Sequence, residues 1–284
     1  MANLKEIRNR IASVSSTMQI TSAMKMVSAA KLKKAQDAIT AMRPYANKLT
    51  ELLQNLSATL DADSGSKYSE HREIKNVLIV AITSNRGLCG AFNSNIIKRA
   101  TAVAESYDAN VSVVAIGKKA NDALSKNFEI ISNQSPVYDD LTFDNVAAIA
   151  EMLMEQFESK AFDKIEVIYN KFKNAATQEI MTEQFLPIEP LEGDTNANLD
   201  YIFEPSKEEI VETLIPKSLK TQLYKSIRDS FASEHGARMT AMHKATDNAT
   251  ELRDQLKLTY NKARQASITN EILEIVGGAE ALNG

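Results

Sequence analysis

The sequence is poor in the residues on which much protein chemistry depends: it has one cysteine, Cys89, three histidines and no tryptophan in 284 residues. A single cysteine excludes an internal disulfide and any zinc site built from several thiolates. Three histidines leave little material for histidine-based catalysis. Low cysteine usage and an N-terminus without the apolar segment of a secretory signal predict a cytoplasmic protein.

Long hydrophobic runs are also lacking, since the longest one covers only residues 77–82. A transmembrane helix needs about 20 apolar residues, so we expect no membrane span and no direct lipid insertion. The chain is 44% hydrophobic and 25% charged, which is typical of a soluble folded protein. Its length is sufficient for one or two domains.

Glycine is missing from both ends of the chain: none precedes Gly65, and only Gly236 lies between Pro205 and Gly277. Turn-forming residues cluster in the centre, which predicts long helices around a compact domain. The predicted boundaries are a helix over 1–57, a linker over 58–75, an α/β domain over 76–190, a connector over 191–205 and a helix over 206–284.

Charge follows the same division. Residues 1–57 hold nine basic and three acidic residues, a net +6, whereas residues 58–205 hold 13 and 23, a net −10. Residues 206–284 are neutral, with 11 of each. A basic end beside an acidic middle indicates that different regions meet different partners.

The N-terminal segment carries a heptad repeat of 16 positions, 13 of them apolar. These positions are Leu4, Ile7, Ile11, Val14, Met18, Thr21, Lys25, Ser28, Leu32, Ala35, Ile39, Met42, Ala46, Leu49, Leu53 and Leu56. A sustained 3.5-residue repeat predicts a left-handed coiled coil. The polar positions 21, 25 and 28 predict a local change of packing, and Pro44 predicts a kink near Met42 or Arg43.

The C-terminal segment shows a second heptad line, rich in alanine. Its positions are Met242, Ala245, Ala249, Leu252, Leu256, Thr259, Ala263, Ala266, Asn270 and Leu273. The helix is predicted over about 206–276, with Ser206 as N-cap, a break near Pro216 and a stop at Gly277. Because a long helix with one apolar seam is not stable alone in water, we expect the two ends to pair antiparallel. The alternative is a helical hairpin that serves only as a core.

The centre alternates strands and helices, which predicts a parallel sheet with helices on its faces. Strands are predicted over 76–83, 111–117, 128–132 and 164–170, with 178–186 as a possible edge strand. Helices are predicted over 95–107, 118–127 and 144–158, the last with Asp144 as N-cap.

The residues after the first strand, SNRGLCGAFN at 84–93, occupy the place of a phosphate loop in Rossmann-like folds. They contain neither G-x-G-x-x-G nor G-K-[ST], so the alternative to nucleotide binding is a structural turn in which Gly87 and Gly90 supply positive φ angles. Cys89 could be a nucleophile, but with no histidine nearby in sequence a buried structural thiol is favoured. His235 and His243 are expected at the surface or in the helix seam, too far apart to share a metal ion.

These residues predict a non-catalytic α/β domain with a helix pair built from both termini, and no cofactor, metal or nucleic-acid partner. Lys31, Lys33 and Lys34 form a basic cluster, but the interleaved aromatic residues of nucleic-acid binders are absent. The cluster is expected to be solvated or to meet an acidic protein.

Several stretches resemble the gamma-subunit family of F-type ATP synthase. They are ITSAMKMVSAAKL at 20–32, RGLCG at 86–90, SEHGARMTAMHKATDNA at 233–249, YNKARQASITNE at 260–271 and EIVGGAEAL at 274–282. The resemblance implies a central shaft whose paired helices insert into a ring of alpha and beta subunits. The α/β domain would lie against the epsilon subunit and the membrane c-ring, and catalysis would belong to the beta subunits.

The resemblance also implies residue roles. The residues implied to contact the beta subunit are Met24, Lys25, Arg238, Arg264, Gln265, Thr269 and Glu271. Met24 would lie near Arg238 and near the segment of the beta subunit that acts as its lever. The structural turn of the central domain comprises Arg86, Gly87, Cys89 and Gly90. Residues 1–18 and 268–282 would line the upper bearing of the shaft.

Plastid members of this family carry a two-cysteine redox loop, which one cysteine cannot form, so thiol control should be absent. A bacterial protein at the cytoplasmic face of the plasma membrane is expected. Two rival functions remain: a free-standing coiled-coil scaffold, which predicts a soluble homodimer, and a nucleotide-binding α/β enzyme that uses residues 86–90.

Overall fold

The computed structural model describes residues 4–57, 67–188 and 207–283. The helices are α1 (Leu4–Ser57), α2 (Phe92–Glu105), α3 (Lys118–Leu124), α4 (Phe143–Glu158) and α5 (Lys207–Asn283). The strands are β1 (Asn76–Ile82), β2 (Asn110–Ile116), β3 (Glu129–Asn133), β4 (Lys164–Phe172) and β5 (Gln178–Leu186). A short 3₁₀ helix over Ser135–Tyr138 was not predicted. The connector 191–205, Ser206 and residues 58–66 of the linker lie outside the described residues.

The five strands form one sheet in the order β3-β2-β1-β4-β5. The first four strands are parallel, but β5 pairs antiparallel with β4, so the sheet is mixed and the expected edge strand is confirmed. Strand β1 is buried on both faces because helices cover both sides of the sheet.

Each face of the sheet has its own apolar core. On one face Val77, Ile79 and Ala81 pack with residues of α2 and α3. On the other face Leu78, Val80 and Ile82 pack with α4 and with α5, which contributes Ile215, Leu219, Leu223 and Ile227. Helix α5 is therefore part of the α/β core as well as the partner of α1.

The chain divides into two compact units, one of residues 29–238 and one of residues 1–28 with 239–284. The first contains the sheet and its helices. In the second, α1 and α5 pack antiparallel, since Arg8, Met18 and Thr21 contact Tyr260, Arg253 and Thr246 in reverse order. The predicted class, an α/β domain with a long antiparallel two-helix coiled coil, is confirmed. The sequence-based domain boundaries remain a prediction.

The predicted α1 seam is confirmed: every α1 residue described as buried belongs to it. These residues are Ile7, Thr21, Ser28, Leu32, Ala35, Ile39, Ala46 and Leu49. The predicted change of packing near residues 21–28 coincides with the division of the chain at residue 28.

The α5 seam was predicted only in part. Five predicted positions are buried or half-buried: Met242, Ala245, Ala249, Leu256 and Ala263. The other five are exposed: Leu252, Thr259, Ala266, Asn270 and Leu273. Thr246, Arg253 and Tyr260 take the intervening seam positions because each bonds a side chain of α1. A heptad pattern of apolar residues does not mark these three positions, because they join the seam through hydrogen bonds.

Several predicted ends and caps are wrong. Helix α5 continues through Gly277 to Asn283, and it is not broken at Pro216. Inside a helix a glycine costs about 1 kcal/mol, and a proline costs about 3 kcal/mol because it removes a donor and its ring crowds the preceding turn. The 77-residue helix α5 nevertheless continues through both. Helix α1 likewise runs through Pro44, and the kink there remains a prediction.

The smaller helices also differ from expectation. Helix α2 begins at Phe92 instead of residue 95, and α3 ends at Leu124 instead of 127. Thr142, not Asp144, caps α4, because its side chain accepts a hydrogen bond from the Asn145 N–H.

The junction of β2 and α3, which packs against the end of β1, requires a glycine. Gly117 has φ +113, and a Cβ there would lie 2.2 Å from the Thr83 carbonyl oxygen. The Thr83 hydroxyl donates to the Gly117 carbonyl and accepts from the Ala120 N–H at 2.8 Å, which holds the two chain segments together. We therefore predict that Gly117→Ala lowers the free energy of unfolding by about 3 kcal/mol or more.

The measurement is urea-induced unfolding of the full chain. Gly87→Ala is the matched control, since a Cβ at Gly87 would meet nothing within 4 Å. Equal stability of the two variants would contradict the packing described for the junction.

Candidate functional site

The carboxyl ends of β1 and β4 are the place where a ligand would bind in a doubly wound fold. The chain leaves β1 towards β2 on one side and returns to β4 on the other, which makes the β1–β4 crevice the topological switch point. Residues 84–93 follow β1 at this edge and contain the predicted turn.

This turn is held by its own side chains. Ser84 donates its N–H to the Asn93 side-chain oxygen at 2.9 Å and its hydroxyl to the Arg86 carbonyl at 2.6 Å. Asn93 in turn donates to the Cys89 sulfur at 3.1 Å. The turn is therefore closed by hydrogen bonds among its own residues.

Positive φ angles occur at Gly90, as predicted, and at Leu88 instead of Gly87. Leu88 has φ +62, and 64% of its surface is exposed. A leucine in the left-handed region is strained, so the surroundings must hold it there. The positive φ of Leu88 was not predicted, because this conformation is expected of glycine and is uncommon for leucine.

Cys89 is only 1% exposed, which confirms the expected burial. Burial raises the pKa of its thiol, so the thiolate that a nucleophile requires is disfavoured. The chemistry at this turn is accordingly that of a packed structural thiol.

Helix α5 covers the same edge of the sheet. The Ser233 hydroxyl donates to the Asn170 carbonyl of β4 at 2.9 Å, and Asn170 donates to the Phe92 carbonyl. At Gly236 an added Cβ would lie 3.2 Å from backbone atoms of Ala175, so this glycine allows close approach of the helix.

Arg238 joins α5 to the turn. Its guanidinium donates to the carbonyls of Arg86 and Gly87 at 3.2 and 3.3 Å, and to the Glu234 carboxylate at 2.6 Å. Arg238 is 7% exposed, and the side chain of Glu234 is similarly buried. A residue expected to face a partner thus makes internal bonds, and the resemblance did not indicate them.

A nucleotide would have to bind at the β1–β4 edge, which side chains of α5 already occupy. Ser233 bonds the Asn170 carbonyl near the end of β4, and Arg238 bonds carbonyls of the turn that follows β1. Among the described residues, no group of three histidine, cysteine or acidic side chains is arranged to hold a metal ion. No helix within the described ranges is long and apolar enough to span a membrane.

His235 is buried, which corrects its expected place at the surface or in the seam; His243 is exposed. The His235 ring packs edge-on against Phe231, with centroids 4.5 Å apart. Its burial and the positive charges of Arg238 and Lys31 lower its pKa from 6.5 to about 4. The neighbouring Glu234 has a raised pKa because it is buried, although Arg238 opposes the rise.

The other predicted contact residues lie in the unit formed by the two termini. Met24 and Lys25 are partly buried on α1, whereas Arg264, Gln265, Thr269 and Glu271 are exposed on α5. Gln265 and Thr269 are one helical turn apart, and Glu271 accepts a hydrogen bond from Ser267 at 3.3 Å. The expected proximity of Met24 to Arg238 remains a prediction.

The same unit leaves large apolar side chains in solvent. On α5 they are Leu258, Ile268, Ile272, Leu273, Ile275 and Val276, and on α1 they are Ile20, Met26 and Val27. Such concentrations of exposed apolar surface are typical of protein-interaction sites.

Fold and site together define a class: an α/β protein with long paired terminal helices, whose C-terminal helix fills the ligand edge of its own sheet. Comparisons with known proteins identify the family. Residues 3–282 match the family model described as ATP synthase. The ATP synthase gamma chains of Flavobacterium psychrophilum and Christiangramia forsetii are 77% and 70% identical, with 100% of both chains covered in each case.

Solved structures agree. The central stalk and c-ring structure of the Tetrahymena thermophila mitochondrial ATP synthase contains a chain 27% identical, with TM-score 0.60, covering 80% of this chain and 99% of that one. A chain of the Euglena gracilis mitochondrial ATP synthase, 23% identical with TM-score 0.69, shares the fold over 98% of this chain and 94% of its own. The chain belongs to the ATP synthase gamma-chain family.

Acid should destabilise the protein through His235. Since the folded pKa lies below the unfolded one, the unfolded state alone binds the proton between pH 6.5 and about 4. Stability is thus full above pH 6.5 and falls as the pH drops towards 4, by up to about 3 kcal/mol. We predict that His235→Gln flattens this fall.

The check is the urea midpoint of the full chain at several pH values from 7.5 to 4. His243→Gln, at an exposed site, should retain the wild-type slope. An unchanged slope in His235→Gln would show that His235 does not titrate in this way.

Proposed function

We propose that this chain is the rotating central shaft of an F-type ATP synthase, which couples ion flow through the membrane c-ring to conformational change at beta-subunit catalytic sites. The observation that carries the proposal is full-length identity of 77% to a curated gamma chain. The paired terminal helices with exposed apolar side chains support it, because a shaft must offer surface to the subunits around it.

The partners follow from this role. The alpha and beta subunits would surround the terminal helices, and the epsilon subunit and c-ring would meet the α/β domain. The basic N-terminal segment suits acidic surfaces on its partners. Neither nucleic acid nor direct lipid insertion is needed, and the protein would be peripheral at the cytoplasmic face of a bacterial plasma membrane.

The mechanism requires contacts that differ as the shaft turns. An asymmetric helix pair presents different side chains to three equivalent beta subunits, and each contact favours one conformer over another. Met24, Lys25, Arg264, Gln265, Thr269 and Glu271 are the proposed beta-subunit contacts. Arg238, the seventh predicted contact, would act through the turn 86–90, to which it is hydrogen-bonded.

We further propose that the chain has no catalytic residue of its own. Burial of the Cys89 thiol and the covering of the β1–β4 edge by α5 support this proposal. ATP chemistry would then take place wholly on the beta subunits.

Reconstitution tests the shaft. We predict that the full chain forms a stable assembly with the alpha and beta subunits of its own complex and raises their ATPase rate several-fold. A version truncated after Arg264 should assemble but give a lower rate, because it lacks five of the exposed apolar side chains of α5. Absence of an assembly, together with nucleotide binding by the chain alone, would favour the enzyme alternative, and a stable homodimer would favour the scaffold.

A single contact can be tested in the same assembly. Gln265→Ala removes one proposed hydrogen bond to a beta subunit, worth about 1 kcal/mol, so coupled ATPase should fall by about fivefold. Gln255→Ala is the control, since this exposed glutamine on the same helix bonds Glu251 within the chain. Equal rates for the two variants would remove Gln265 from the contact set.

A further inference from the structure

We propose that Arg238 is a positioning residue: it holds the turn 86–90 in the conformation that presents Leu88 outward, and it does not itself reach a partner. The identity of the partner that Leu88 meets rests on the proposed shaft function. The positioning part stands on the geometry of the chain alone.

The guanidinium of Arg238 is committed internally on every side. Nη2 donates to the carbonyls of Arg86 and Gly87, Nε donates to Gly87 at 3.4 Å, and Nη1 donates to Glu234. A planar fork can bridge two successive carbonyls in this way, which a lysine ammonium cannot do with the same geometry. With 7% exposure, little of the side chain remains for another protein.

Glu234 fixes the orientation of the fork. It lies one turn earlier on α5, and its carboxylate forms a buried ion pair with Nη1. His235 adds a ring nitrogen 3.5 Å from the same Nη1. Because both partners belong to the helix, the guanidinium is rigidly part of α5, and a displacement of α5 is passed to the turn.

The turn shows why such a hold is needed. The hydrogen bonds from Arg238 to the carbonyls of Arg86 and Gly87 form a clamp on the turn. Leu88 comes next, adopts φ +62 and exposes its side chain, while the following residue, Cys89, is buried. Without the clamp, strain at Leu88 favours relaxation to an ordinary φ, which would turn the apolar side chain inward or away. Relaxation would also uncover the Cys89 thiol.

The rate at which Cys89 is modified therefore shows whether the clamp holds the turn closed. Cys89 is the sole cysteine of the chain, so no other thiol contributes to the signal. We expect Arg238→Ala to raise the rate of Cys89 modification by a small maleimide at least about tenfold in the full native chain, because the lost bonds involve a charged donor. Glu234→Gln and Arg238→Lys should give smaller increases. Circular dichroism identifies any of the three variants that fails to fold. The labelling rates of the remaining variants then test the clamp.

Arg228→Ala is the matched control. Arg228 also lies on α5 and also donates to a backbone carbonyl, that of Leu141, at 2.7 Å. Its loss should leave the Cys89 rate unchanged. If Arg238→Ala labels no faster than Arg228→Ala, the clamp does not exist and the proposal is overturned.

The presenting role is tested in the reconstituted assembly. Leu88→Ala should lower coupled ATPase while Cys89 in the free chain stays as slow to label as in wild type. The double variant Leu88→Ala, Arg238→Ala should have the same coupled ATPase rate as Arg238→Ala alone, because both residues act through one contact. Additive losses would mean that Arg238 reaches a partner itself. Faster labelling with unchanged ATPase would retain the clamp and overturn the presenting role; failure of wild-type assembly would instead refute the shaft function.

Discussion

The structure depends on the apolar seam of α1, which must be covered over its whole described length. A helix of 54 residues with one apolar stripe is not stable in water unless another element packs on that stripe. The seam positions are the only α1 residues described as buried, so the coverage is specific to that stripe. Covering it requires a second helix of comparable length, and the C-terminal helix α5 meets this requirement with 77 residues.

Helix α5 consequently serves two kinds of environment. Between Thr221 and Arg238 it is buried or half-buried on every side, with serine, acid and histidine side chains among the apolar ones. Between Met239 and Ala263 it has one buried or half-buried side, and it pairs with α1 through polar contacts at Thr246, Arg253 and Tyr260. Buried polar groups tolerate few arrangements, since each needs a partner of the right geometry. They therefore fix the orientation of α5 on the sheet more strictly than apolar packing alone would.

Periodicity was sufficient to predict the helix pair, the strands and the edge position of β5. The N-terminal seam was found because apolar residues mark it at nearly every position. The C-terminal seam was found only in part, because Thr246, Arg253 and Tyr260 join it by hydrogen bonds that hydropathy does not record. For the same reason the turn was located but its clamp was not: Arg238 lies about 150 residues from Arg86, and one sequence gives no sign of that contact. Helix ends were least predictable. Near Pro216 the burial of Ile215 and Leu219 outweighs a proline cost of about 3 kcal/mol, and at Gly277 the helix runs on although the surrounding residues are exposed.

Exposed large apolar side chains are concentrated towards the end of α5, and their location bears on function. The residues of α5 from Ile268 to Val276 include five large apolar side chains at about half exposure or more, without a covering element among the described residues. A chain that folded only for its own stability would bury or replace them, since the same helix buries such residues fully at Leu223 and Ile227. Their retention is explained when the helix end works inside a larger assembly. The buried ion pair of Arg238 with Glu234 has the same explanation. Such a pair adds little net stability, but it holds the strained turn in one conformation, and a fixed conformation is useful when the turn meets a partner.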